Sequence, residues 1–99
     1  MQHRILIIEA EVKLFDSHSL KEKRILRQKL TEKLRSGHNV SIAETDKQNL
    51  WDLIALTIAY VAIDQSAAEK KAEVLEKRIC EILEQDGSGE LIRFYREVV

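Results

Sequence analysis

Ninety-nine residues, 44% hydrophobic and 33% charged, give one domain over residues 1–99 with a single two-layer core, and they exclude a disordered chain. The longest apolar run, residues 53–63, is too short to cross a bilayer, and Glu9 and Glu11 interrupt any signal-peptide core. The formal charge of −1 divides into +5 over residues 17–37 and −6 elsewhere, and a lone Cys80 forbids an internal disulfide and fits a reducing cytoplasm.

In chain order, residues 4–15 read as a strand, with Ile8, Ala10, Val12 and Leu14 alternating against Glu9, Glu11 and Lys13. Asp16-Ser17-His18 connects it to a helix running from Ser19 to about Ser36. Ser19 and Glu22 have capping-box spacing, Leu20, Leu26, Leu30 and Leu34 form a stripe, and Gly37 is the stop. Residues 39–45 are β-like and residues 46–49 form a polar turn. Residues 51–63 are apolar on both parities, which predicts a central strand covered on both faces. A second helix spans about Ser66 to Gln85, with Ser66 and Glu69 as a second capping box. Ala68, Ala72, Leu75, Ile79 and Leu83 share its buried face, and Gly87-Ser88-Gly89 ends it. Leu91 to Val98 is the last strand.

The order βαββαβ, folded by two right-handed crossovers, gives a ferredoxin-like plait: a four-stranded antiparallel sheet with both helices on one face. The open face then carries Ile5, Ile7, Glu9 and Glu11 from the first strand and Arg93 and Tyr95 from its neighbour. Arg93 can meet Glu9 or Glu11 there. A surface part apolar and part ionic suits a homodimer contact through Ile5, Ile7, Arg93 and Tyr95; a plain solvated sheet is the competing reading.

Lys21, Lys23 and Arg24 crowd cations at the start of the first helix, where its dipole favours anions. Lys21, Arg24, Gln28 and Arg35 follow one flank with no acid among them. Lys23 and Arg27 border the leucine stripe, so their stems are expected over apolar surface with the charges reaching water. Lys21, Lys23, Arg24, Arg27 and Arg35 thus form a candidate phosphate-contact surface, against the alternative of an ordinary solvated face. Glu9 and Glu11 sit where aromatic base-stacking residues would be needed, which argues against RNA recognition on the sheet.

Glu44 and Asp46, two residues apart, could share a cation, but Asn39, Glu44, Asp46 and Trp51 are read first as structural. Trp51 is expected to anchor the entrance to the central strand, its indole N–H on a polar group. His3, His18 and His38 are isolated, Ser17-His18-Ser19 is mere adjacency, and Cys80 borders a buried stripe. No enzyme, metal site or cofactor is expected.

Ser19-Leu20-Lys21-Glu22-Lys23-Arg24, then Leu30, Leu34, Asn39-Val40-Ser41-Ile42-Ala43-Glu44, Asp46 and Leu50-Trp51, resemble the YlxP-like bacterial proteins, a family of unknown function. The resemblance implies a ferredoxin-like fold. The family's gene neighbours in translation and ribosome maturation imply an RNA or ribosome partner, with no established activity. Asp52 and Leu53 stand where the family tends to have Gln and Arg, and Thr57 replaces a usual glycine. The expectation is a cytoplasmic, RNA- or ribosome-associated accessory protein acting through its basic first helix, with no membrane partner. A homodimeric docking or regulatory module on the sheet face, or a small-ligand sensor, are the alternatives.

Overall fold

Alternation along the first strand does what period-two patterning dictates: every even-numbered residue from Leu6 to Leu14 is buried, and the odd ones face away. The computed structural model describes residues 2–99. It runs β1 (Arg4–Leu14), α1 (Leu20–Gly37), β2 (Ser41–Asp46), β3 (Leu53–Ala62), α2 (Gln65–Asp86) and β4 (Gly89–Val98). The strands pair antiparallel in the order β2-β3-β1-β4. α1 packs over β2 and β3, and α2 over β4 and β1. The layers meet in a core that includes Leu6, Ile8, Leu30, Leu34, Ile58, Leu75 and Ile79. This is the ferredoxin-like plait. Among the described residues no helix is long and apolar enough to cross a membrane.

The helix ends follow local chemistry. The Glu22 N–H donates to Ser19 Oγ at 3.2 Å, and the Glu22 carboxylate accepts the His18 N–H at 2.6 Å, one residue ahead of the cap. The second predicted capping box does not form. Asp64 caps α2, its Oδ1 accepting the Ala67 N–H at 2.8 Å, and Ser66 already lies inside the first turn. Gly87 closes the helix in the left-handed region, φ 76°, its N–H donating to Leu83 O at 2.8 Å.

The second face of β3 is uncovered, contrary to its two-sided apolar sequence. Both helices lie on the other side, so Thr57 and Ala59 are half-buried and Val61 is 71% exposed. Thr57 Oγ1 is satisfied instead by Thr45 Oγ1 at 2.6 Å across the strands.

Gly89 starts β4 where there is no room for a side chain. A Cβ there would lie 2.8 Å from Lys13 O and 3.3 Å from both Leu26 Cδ2 and Val12 Cγ1. Gly89→Ala is expected to lose about 1–3 kcal/mol of stability by overpacking. An unchanged urea midpoint would mean that β1 and β4 can spread there freely.

Candidate nucleic-acid interface on α1 and the β2–β3 loop

Lys23 shares the buried stripe of α1 with Leu26, Leu30 and Leu34 and is 1% exposed. Its stem runs into the core and its ammonium ends among acceptors. Nζ donates to Lys47 O at 2.8 Å and to Gln48 O at 3.3 Å, and lies 2.8 Å from Glu44 Oε2. That last contact is out of line for a hydrogen bond, so Oε2 has an ionic neighbour without an aligned donor. Glu44 Oε1 accepts Arg27 Nη1–H at 2.8 Å. The expectation of outward-reaching charges therefore fails for Lys23, and Arg27 is committed to the same carboxylate. A buried ammonium is tolerable only with such compensation. Lys23 leaves the phosphate-contact set; Arg27 contributes at most its remaining edge.

Lys21, Arg24 and Arg35 are different. All three are exposed, and none has an ion-pair partner among the described residues. Arg24, Gln28 and Arg35 recur on one face at helical spacing. Arg35 also donates from Nη2 to Ile42 O at 2.8 Å, which occupies a carbonyl of the edge strand β2 without neutralising the guanidinium. The opposite flank of α1 is tied to α2 through Lys29 and Asp86. The bonds from Lys29 and Ser88 hold the Asp86 carboxyl below the usual range.

The loop after β2 is fixed by its backbone yet turns apolar groups to water. The Lys47 N–H donates to Asp46 Oδ1 at 2.8 Å, Lys47 sits at φ 56°, and the Leu50 N–H donates to Lys47 O at 3.1 Å. Ser17 Oγ donates to Trp51 O at 2.7 Å and the Leu14 N–H to Asp52 O at 2.8 Å. Lys13 Nζ meets Asp52 Oδ2 at 2.6 Å, a bond that holds the Asp52 carboxyl below its ordinary range. Trp51 is nevertheless 54% exposed, and its indole N–H has no partner among the described residues. The expected anchor is absent, because β3 begins two residues later, at Leu53, and leaves the ring outside the sheet. Ser17, Asn49, Leu50, Trp51 and Asp52 line a shallow pocket of about 290 Å³ beside the start of α1.

Of the other candidates, Asn39 is exposed between α1 and β2. A bulge separates Glu44 from Asp46, and Glu44 is already engaged by two cations, so the two acids do not share a cation site. Position had signalled part of this: Lys23, Leu26, Leu30 and Leu34 are spaced as one helical stripe. Its partner Glu44, on another element, was not visible.

Ile5, Ile7, Arg93 and Tyr95 do share the open face. Arg93 stands directly opposite Glu11, with Nη1 3.7 Å from Glu11 Oε2, and its guanidinium lies 5.7 Å from the Tyr95 ring centroid. Lys47 reaches Glu11 from the other side.

At the end of α1, His38 Nδ1 is 3.1 Å from Lys71 Nζ. Burial first, then Lys71 and Arg78, lower its pKa from 6.5. The folded chain therefore resists protonation more than the unfolded one. The corresponding stability is present above pH 6.5 and is lost as pH falls through the lower folded value. His38→Gln is expected to flatten the Tm–pH curve between pH 6.5 and the lower folded value; a curve parallel to that of the parent chain would assign the slope to other groups.

Residues 5–96 match the model of a family described as "Protein of unknown function (DUF503)". The chain is 32% identical over 65 residues to "Uncharacterized protein YlxP" of Bacillus subtilis (strain 168), covering 66% of this chain and 71% of that protein. With the family pattern extending from β1 almost to the end of β4, the chain belongs to the DUF503 family.

Proposed function

We propose that the protein is a cytoplasmic, non-catalytic module that binds RNA, free or within the ribosome, along the outer flank of α1. The observation behind this reading is the survival of Lys21, Arg24 and Arg35 as uncompensated cations when Lys23, Arg27, Lys29 and Lys47 all have acidic partners. Phosphates would follow the flank, and an unpaired base would stack on Trp51 beside the helix start. Glu9, exposed and without an ion-pair partner among the described residues, directs RNA away from the open sheet.

Trp51 is the sole tryptophan, so its fluorescence reports on the site directly. Titration with single-stranded RNA at low salt is expected to quench it. Affinity should fall with salt at about 0.7 log units per log unit for each phosphate neutralised. Sedimentation with ribosomal subunits over the same salt series extends the test to assembled RNA. No quenching and no co-sedimentation at low salt would end this reading.

A further inference from the structure

The two edges of the sheet are treated differently. On β2, Arg35 caps the carbonyl of Ile42, and the Lys23–Glu44–Arg27 cluster packs against the same strand. β4 has no such cap over residues 93–98, its one irregularity being the bulge at Ile92 just before that stretch. It is a ten-residue edge strand without proline, and it exposes Ile92, Tyr95 and the adjoining Val99. An unguarded edge of this kind is a template for another strand.

We infer that the free edge of β4 pairs antiparallel with β4 of a second copy of this chain, about a two-fold axis at Tyr95, joining the two sheets into one. Ile5 and Val99 exchange both backbone bonds, at 2.8 and 2.9 Å. By alternation, Arg93, Tyr95 and Glu97 direct their backbone groups at β1, whereas Phe94, Arg96 and Val98 direct theirs outward. Only registers that set outward-pointing residues opposite each other can form the new ladder.

Charge then selects among these registers. With Tyr95 on the axis, Phe94 and Arg96 of one copy exchange backbone bonds with Arg96 and Phe94 of the other. Arg93 faces Glu97 of the second copy, and Glu97 faces its Arg93. Moving the axis to Phe94 or Arg96 sets Arg93 or Glu97 opposite Tyr95 and forms neither ion pair. Moving it to Arg93 or Glu97 sets like charges opposite each other. Arg93 is already held between Glu11 and the free edge, over the Tyr95 ring, on the same face as Glu97. α2 covers β4 and β1, so two copies would set their α2 helices about two strand spacings apart, roughly the 8–10 Å of ordinary helix packing.

The experiment combines disulfide trapping with charge exchange in the full chain. With Cys80 changed to Ser, Tyr95→Cys should oxidise to a covalent dimer, since facing residues at such a pair lie within disulfide reach. Cysteine at Arg93 or Glu97 should not, because each copy's thiol would then lie several residues from its counterpart. By sedimentation equilibrium the parent chain should exceed its 11.5 kDa monomer mass. Glu97→Arg should weaken association about tenfold or more, and Arg93→Glu/Glu97→Arg should restore it. Circular dichroism confirms that each variant is folded. A folded parent that stays monomeric, equal trapping at all three positions, or a dimer indifferent to Glu97→Arg would each overturn the proposal.

Discussion

Glu44→Gln is expected to cost about 3–5 kcal/mol of folding stability, because it leaves the buried Lys23 ammonium and the neighbouring Arg27 facing each other without their shared carboxylate. For a domain of this size that is a fall in Tm of about 12 °C or more. Lys23→Met should cost less. It keeps the volume of the stem and leaves Glu44 paired with Arg27, but it removes the donor to Lys47 O and Gln48 O. The double variant Lys23→Met/Glu44→Gln should fall well short of the two single losses added together, since groups in direct contact are coupled. Urea denaturation of the three variants measures this directly. A Glu44→Gln chain within about 1 kcal/mol of the parent would show that Lys23 finds its compensation elsewhere. Lys23 also ties the β2–β3 loop to α1, so Lys23→Met should speed amide exchange over residues 47–52, which include Trp51.

The second large effect is on binding. Lys21→Gln/Arg24→Gln/Arg35→Gln removes three phosphate contacts while leaving the Lys23–Glu44–Arg27 cluster in place. Affinity for single-stranded RNA should fall about a hundredfold near 0.1 M salt, and the slope of log K against log salt should decrease by about 2. The stability consequence runs the other way at Lys21. Its charge stands in the first turn of α1 and opposes the helix dipole, so neutralising it should stabilise the fold by a few tenths of a kcal/mol. Arg35→Gln also removes the bond to Ile42 O, so the variant that separates a binding role from a structural one is Lys21→Gln/Arg24→Gln, which should lose RNA affinity while melting no lower than its parent. An unchanged salt slope would place any RNA contact elsewhere.

Legibility followed the range of the interactions. Alternation at Leu6, Ile8, Ala10 and Val12 and the helical spacing of Leu26, Leu30 and Leu34 are properties of neighbouring residues, so they could be read directly. The Ser19 cap was legible for the same reason. At α2 a local competition was missed: Asp64 sits two residues ahead of Ser66 and takes the capping position first. Trp51 looked like part of an apolar run, but the ties from Ser17 and Leu14 set the loop so that β3 starts only at Leu53.

Composition and periodicity alone determined the element order, the βαββαβ plait and most of the core, because burying an amphipathic face needs only the right residue types at the right spacing; Lys23, buried, and Leu20, exposed, depart from it. The division of the cations into paired and free was decided by the tertiary structure. Lys23 met Glu44, Lys13 met Asp52 and Lys29 met Asp86 across different elements, whereas Lys21, Arg24 and Arg35 met no acid. An ion pair depends on atoms a few ångströms apart in space, and the order of residues along the chain does not contain that distance.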